Sequence, residues 1–139
     1  MNLNDIKVGT KINFEKYISS EDLKLYKLLT NDQNPIHYDE IFAKKTIFKR
    51  PIVPGLITIS SFVSILAKFY PGAVITKIEI LFNAPVYLDE KLKGVVEIIS
   101  ITPLKKKGTL KIEISNSNGV VVLDAKLDCF FGAKINEDP

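Results

Sequence analysis

The sequence predicts an α+β protein in which an antiparallel β-sheet wraps around a long central helix. The segment from Leu56 to Ala67 contains no charged residue, and its apolar residues cover most of a helix circumference, which is typical of a buried helix. After it, apolar and polar residues alternate in four successive segments, the pattern of strands with one buried face. A helix that is buried on every side needs a curved sheet around it.

Shorter elements precede the central helix. A strand is predicted over about residues 8–15, where apolar residues alternate with polar ones. Ser19 and Asp22 have the spacing of a capping box, so a helix begins there. The residues expected on its buried side are Leu25, Tyr26, Leu28 and Leu29. Residues 31–35 favour turns and end this helix, and Pro35 makes the segment from Asp32 to His37 a stiff, open loop.

Turn signals divide the rest of the chain. Residues 70–72 (Tyr-Pro-Gly) stop the central helix, and a loop over residues 103–108 and a hairpin turn over residues 116–119 separate the later strands. Four strands in succession predict antiparallel meanders. One curved sheet cannot cover both its helix and its own edges, so we expect a dimer.

Composition places the chain among globular proteins. It has 139 residues, 46% hydrophobic and 25% charged, so residues 1–139 are predicted to form one domain with residues 133–139 as a frayed tail. The net charge of +3 is spread out, and without a basic face that carries aromatic residues we expect no nucleic-acid binding. A single cysteine, no apolar N-terminal stretch and no segment long enough to span a bilayer predict a cytoplasmic protein without a membrane partner.

Asp32 and His37 are the first candidate site residues. His37 is the only histidine, and Asp32 precedes it by five residues. A histidine can exchange protons near neutral pH, and a carboxylate can fix its ring or share a water molecule with it, so the pair suits general acid–base chemistry. The alternative is structural: Asp32 caps a turn, and the backbone satisfies the ring of His37. The residue types alone leave both interpretations open.

Gly55 stands where the central helix begins. The first N–H groups of a helix lack internal partners and carry positive partial charge, and glycine lets a ligand approach the backbone. A thioester carbonyl would find an oxyanion site there. The alternative is that Gly55 only permits a tight entry into the helix. Asn34 has two interpretations as well, a bond to water or ligand, or an Asx turn.

The sequence lacks the residue patterns of metal sites, nucleotide-binding sites and serine hydrolases. One histidine and one cysteine give no zinc-ligand pattern, so no metal site is predicted. The sequence has no phosphate-binding glycine loop or dinucleotide fingerprint, and no cofactor is expected. The serines of the central helix lie in no nucleophile-elbow pattern, and Cys129 is expected in the core.

Two blocks of the sequence resemble a known family. Residues 28–37 (LLTNDQNPIH) and 48–56 (FKRPIVPGL) are similar to signature blocks of the MaoC-like (R)-specific enoyl-CoA hydratases and dehydratases, and the similarity runs from about Asp5 to Gly132. The resemblance implies a hot-dog fold, in which an antiparallel β-sheet wraps around a long central helix. It also implies a dimer with an acyl-thioester tunnel near the subunit interface.

The resemblance implies roles for the candidate residues. Asp32 and His37 match the pair that holds the water added across the enoyl-CoA double bond. Gly55 matches the backbone donor to the thioester oxygen, and Asn34 matches the family's asparagine. The chain departs from the family at Thr30-Asn31, where a small pair is usual, and at Pro54, which replaces a histidine and offers no donor.

The resulting hypothesis is reversible hydration of a trans-2-enoyl-CoA to an (R)-3-hydroxyacyl-CoA. The expected partners are an acyl-CoA or acyl-carrier-protein thioester and further copies of the chain, in a homodimer or a higher assembly of dimers. Two alternatives on the same fold remain open, an acyl-CoA thioesterase and a non-catalytic acyl-CoA-binding or partner subunit.

Overall fold

Five antiparallel strands form one sheet in the computed structural model, which describes residues 6–132. The strands are β1 (Lys11–Lys16), β2 (Val74–Phe82), β3 (Leu92–Thr102), β4 (Lys107–Ser115) and β5 (Val121–Phe130). They lie in the order β1-β3-β4-β5-β2, so β1 and β2 form the edges of this sheet. The predicted frayed tail, residues 133–139, lies outside the described residues.

The predicted meander is confirmed for β3, β4 and β5 and is wrong for β2. Instead of pairing with β3, its neighbour in sequence, β2 pairs with β5, from Val74 opposite Phe130 to Phe82 opposite Leu123. The connection between β2 and β3, residues 83–91, explains the difference. It is too long for a tight hairpin. Val86 O within it accepts a hydrogen bond from Val53 N (2.7 Å), so the connection runs beside the segment that precedes the central helix.

Five helices accompany the sheet. They are α1 (Ser20–Thr30), α2 (Pro35–Tyr38), α3 (Glu40–Lys44), α4 (Gly55–Val63) and α5 (Ile65–Phe69), and a short 3₁₀ turn covers Pro103–Lys105. The predicted central helix is therefore interrupted at Ser64. The hydroxyls of Ser60, Ser61 and Ser64 each donate to a carbonyl of the preceding turn at 2.7–2.9 Å, as expected for small polar residues in a helix.

The central helix is buried along one stripe and not on every side. Thr58, Ile59 and Phe62 of α4 and Leu66 of α5 are buried, whereas Leu56 is 54% exposed. The sheet of one chain covers one side of the helix, which is why burial on every side was wrong for the single chain. No helix among residues 6–132 is long and apolar enough to cross a membrane.

The ring of Phe62 fixes the distance between helix and sheet. It lies directly against Gly94 of β3, where a Cβ atom would overlap the ring, and its centroid is 4.6 Å from that of Phe14 in β1. The strands supply the rest of the core as their alternation predicted. The buried hydrophobic residues on β4 and β5 are Leu110, Ile112, Ile114, Val122, Leu123, Ala125, Leu127 and Cys129.

The capping box at the start of α1 is confirmed. Ser19 Oγ accepts a hydrogen bond from Asp22 N (3.3 Å), and Asp22 Oδ2 accepts one from Ser19 N (2.9 Å). The bond from Ser19 N is the main reason that the pKa of Asp22 lies below its ordinary value. A carboxylate with a lowered pKa stabilises the fold at neutral pH and loses this contribution as the pH falls through that pKa.

The predicted buried side of α1 is wrong. Leu23 is the buried residue of this helix, whereas Leu28 and Leu29 are 82% and 85% exposed and Leu25 is exposed as well. The helical period correctly identifies an apolar arc, but no other element of the described chain covers it. This arc is available to a second chain.

Replacement of Ser19 by alanine tests the cap. Ser19→Ala is expected to lower the free energy of unfolding by about 1 kcal/mol, because Asp22 N loses its acceptor. Urea unfolding at pH 7 measures the change, with Ser20→Ala at the first helical residue as the matched control. Equal losses in both variants would contradict the capping role.

Candidate active site

Asp32 and His37 lie on the turn that joins α1 to α2. Asn31 adopts a left-handed conformation (φ 55°) that ends α1 and redirects the chain. Asp32 Oδ1 then accepts a hydrogen bond from Asn34 N (3.0 Å), and Asn34 O accepts one from His37 N (3.0 Å). These bonds connect the two candidate residues through Asn34 in one compact turn.

Asn34 is the N-cap of α2. Its Oδ1 accepts a hydrogen bond from Ile36 N (3.2 Å), which confirms the predicted Asx-type turn. Pro35 occupies the first helical position, where its fixed φ suits a helix start. The stiff, open loop predicted from Asp32 to His37 is therefore wrong for its second half, since His37 lies on a helical turn.

The ring of His37 is half-buried and held by the backbone of a distant segment. Its Nδ1 lies 2.7 Å from the carbonyl oxygen of Ile52. A carbonyl oxygen can only accept a hydrogen bond, so Nδ1 carries a proton, and in the neutral ring Nε2 keeps its lone pair. Ile52 N in turn donates to Ile36 O (3.1 Å), so two bonds join α2 to the segment that leads into α4.

That segment is also fixed on its other side. Val53 N donates to Val86 O (2.7 Å), and both Val53 and Pro54 are buried. Just before the segment, the guanidinium of Arg50 stacks 3.8 Å from the centroid of the Tyr87 ring, and the hydroxyl of Tyr87 donates to Phe48 O (3.1 Å). These contacts fix where α4 begins relative to His37.

Gly55 is the first residue of α4. The N–H groups of Gly55 and Leu56 have no acceptor within the helix and carry its positive partial charge, and Pro54 has no side-chain acceptor to offer them. A Cβ atom at position 55 would overlap the ring of Phe82 at the end of β2. The structure therefore gives a steric reason for glycine at position 55, in addition to the access to the backbone that glycine gives a ligand.

Three kinds of group are thus held on neighbouring segments: an imidazole lone pair, a carboxylate and the start of a helix. Such a set can activate a water molecule and polarise a carbonyl. Cys129 lies apart from them in the core, where burial, with a smaller effect from the charge of Asp128, raises its pKa to about 11. Its thiol is therefore protonated at neutral pH. No group of three or more His, Cys, Asp or Glu side chains suitable for a metal ion occurs within residues 6–132.

The arrangement can now be compared with known proteins. The profile of the family described as "MaoC like domain" matches residues 4–119. The chain belongs to the MaoC-like family. This match includes every candidate site residue that the sequence predicted.

The relatives of this MaoC-like chain extend over most of its length. A mitochondrial 3-hydroxyacyl-[acyl-carrier-protein] dehydratase of Arabidopsis thaliana is 33% identical over 124 residues, which cover 87% of this chain and 75% of the relative. An (R)-specific enoyl-CoA hydratase of Aeromonas caviae is 28% identical over 125 residues, 88% and 93% of the two chains. The solved structure of the (R)-hydratase from A. caviae involved in PHA biosynthesis superposes with a TM-score of 0.85 at 26% identity, covering 91% and 98% of the two chains. The hot-dog fold is confirmed.

Sequence reasoning missed three residues that lie against the candidate site residues: Ile52 and Tyr38 beside His37, and Phe82 beside Gly55. Ile52 acts through its backbone carbonyl, which every residue has, so no sequence pattern distinguishes it. Phe82 reaches Gly55 only through the pairing of β2 at the far edge of the sheet. Tyr38 carried a signal, because a phenol directly follows the only histidine of the chain.

A double substitution separates the two reasons for glycine at position 55. Gly55→Ala is expected to destabilise the fold slightly, because the ring of Phe82 is 56% exposed and must turn aside, and Gly55→Ala with Phe82→Ala removes this overlap. If a ligand also approaches the backbone here, the double variant binds or turns over thioesters poorly compared with Phe82→Ala alone. Thermal unfolding and activity are measured on all three variants. Recovery of both properties in the double variant would show that glycine serves the ring alone.

Proposed function

We propose that this protein catalyses the reversible hydration of a trans-2-enoyl-CoA to an (R)-3-hydroxyacyl-CoA. The main support is the 2.7 Å bond between His37 Nδ1 and Ile52 O, which presents Nε2 as a proton acceptor on the turn that also holds Asp32. The names of the relatives support the reaction class, since one is an enoyl-CoA hydratase and another is a dehydratase of acyl-carrier-protein substrates. The two names describe opposite directions of the same type of reaction.

In this mechanism a water molecule donates its two hydrogens to Nε2 of His37 and to the carboxylate of Asp32. Nε2 removes one proton, and the water oxygen bonds to the β-carbon of the enoyl group. The electrons of the double bond move toward the α-carbon and the thioester oxygen, which the N–H groups at the start of α4, Gly55 first, stabilise. His37 then passes its proton to the α-carbon, so one water is added and the imidazole returns to its starting form.

The carrier of the acyl group is a separate question. CoA and acyl carrier protein present the same thioester, and the relatives named above differ in this respect. Assays with one acyl group on both carriers compare them directly. The cytoplasmic location and the lack of a cofactor stay predictions, and one relative is mitochondrial by name.

The reaction predicts a defined loss in two variants. With crotonyl-CoA, the wild-type protein is expected to remove the absorbance of the conjugated double bond, and His37→Ala and Asp32→Asn each lower kcat by about 100- to 10,000-fold, the usual contribution of a general acid or base. The matched control is Asp128→Asn, because Asp128 bonds to Thr109 and lies toward the end of β5 opposite to the one that pairs with Phe82. Chiral analysis of the product tests the (R) configuration.

Other outcomes would contradict the proposal. Release of free thiol from an acyl-CoA would indicate a thioesterase. Binding of the thioester without turnover would indicate a non-catalytic subunit. Wild-type activity in both His37→Ala and Asp32→Asn would exclude the mechanism.

We also propose that the protein is a homodimer formed along β2. The outer edge of this strand has no partner in the described sheet, and several large apolar residues near it or on α1 are exposed. They are Leu25, Leu28, Leu29, Leu56, Ile78, Leu81 and Phe82. An unpaired strand edge beside exposed apolar side chains favours pairing with a second chain.

Two isoleucines of similar exposure test the dimer. Ile78 on β2 is 41% exposed and Ile99 on β3 is 42% exposed. Light scattering is expected to give twice the chain mass for the wild type and for Ile99→Lys. Ile78→Lys introduces a charge at the proposed interface and is expected to be largely monomeric. A monomeric wild-type protein, or equal effects of the two substitutions, would contradict an interface along β2.

A further inference from the structure

Two buried hydroxyls within residues 6–132 have no hydrogen-bond partner, those of Tyr38 and Thr58. Tyr38 directly follows His37 on α2, and Thr58 lies one turn after Gly55 on α4. Leaving a buried hydroxyl without a partner destabilises a protein, so such a group needs a partner such as a water molecule or a ligand. Both hydroxyls belong to the two helices that carry the candidate site.

The ring of Tyr38 is fixed by its neighbours. The ring of His37 packs edge-on against it, with the centroids 5.9 Å apart, and Lys27 Nζ of α1 lies 4.8 Å from its centroid. The ring also packs against the hydrophobic core. These contacts leave the hydroxyl little freedom to turn toward solvent.

The charge of Asp32 acts on the phenol of Tyr38. Burial is the main cause that raises the pKa of Tyr38 above its ordinary value, and the negative charge of Asp32 and the nearby Tyr26 raise it further. Among the groups around the ring, Lys27 lies over its face, and the ring of His37 packs perpendicular to it. Asp32 is therefore the carboxylate whose charge raises the pKa of the phenol.

The hydrogen bonds of the reacting water show what is missing from the site. In the proposed mechanism the water donates both hydrogens, one to Asp32 and one to His37. Its oxygen then has two lone pairs, one of which attacks the β-carbon. A donor to the second lone pair would fix the orientation of the first, and neither Asp32 nor Nε2 of His37 can supply such a donor.

We propose that Tyr38 is a further catalytic residue, whose hydroxyl donates a hydrogen bond to the oxygen of the water held by Asp32 and His37. This inference rests on the proposed hydration. It gives the orphaned hydroxyl a partner and directs the free lone pair of the water at the substrate. Tyr38 orients the water and takes no proton from it, so its loss slows the reaction less than the loss of His37.

Tyr38→Phe tests this role with the smallest possible change. It is expected to lower kcat for crotonyl-CoA about 10- to 100-fold with little change in KM, which is the effect of one lost hydrogen bond of 1–3 kcal/mol. Tyr26→Phe, at the neighbouring phenol, is the matched control and is expected to keep wild-type kinetics. Thermal unfolding of both variants shows whether either substitution alters the fold.

A titration of the tyrosines tests the arrangement without turnover. The difference between the ultraviolet pH titrations of wild type and Tyr38→Phe isolates the ionisation of Tyr38. Asp32→Asn is expected to shift this ionisation to lower pH, because the neighbouring negative charge is removed. An unchanged ionisation in Asp32→Asn would overturn the placement of the hydroxyl beside Asp32.

The outcomes separate the two proposals. An active wild-type protein whose kcat is unchanged by Tyr38→Phe would overturn the role of Tyr38 and leave the proposed hydration intact. A wild-type protein that hydrates neither the CoA nor the carrier-protein thioester would overturn the hydration itself, and with it the catalytic role of Tyr38.

Discussion

The backbone of Ile52 holds the candidate site together. Its carbonyl accepts the hydrogen bond from His37 Nδ1, and its N–H donates to Ile36 O, so one residue both orients the imidazole and joins α2 to the segment in front of α4. Three residues later that segment becomes the helix whose first N–H groups have no side-chain cap. The proton acceptor and the positive helix start are therefore positioned by one short stretch of extended chain. A substitution of the Ile52 side chain would leave both backbone bonds possible. The site therefore requires no particular residue type at this position.

The position of this stretch depends on the packing of α4 against the sheet. The ring of Phe62 occupies the space that Gly94 leaves open, and it contacts Phe14 from the neighbouring strand. Side chains at such contacts are packed as closely as in organic crystals, so the helix has little freedom to slide. On the opposite side, Val53 is bonded to Val86 in the connection from β2 to β3. The unusual position of β2 thus contributes to the site, because its connection returns past the start of α4.

Local features of this fold were predictable from the sequence, and features that depend on distant pairing were not. The capping box of Ser19 and the Asx turn of Asn34 are encoded within four residues, and both are confirmed. Strand alternation identifies the face that a strand buries but not its neighbour, so the pairing of β2 with β5 was missed. The helical period of α1 identifies the apolar arc that contains Leu28. It does not predict that this arc is exposed, because the period does not tell whether the same chain or a second one covers it.

Pro54 illustrates how a departure from a family pattern can preserve a site. Proline supplies no donor at this position, so any contribution from a histidine there is lost. Proline also supplies no acceptor from its side chain, and as the N-cap residue of α4 it leaves the N–H groups of Gly55 and Leu56 free of the capping bond that a serine or aspartate would make. An anionic oxygen that approaches this helix start therefore displaces no internal cap. Proline at this position therefore keeps the positive end of the helix available to a substrate.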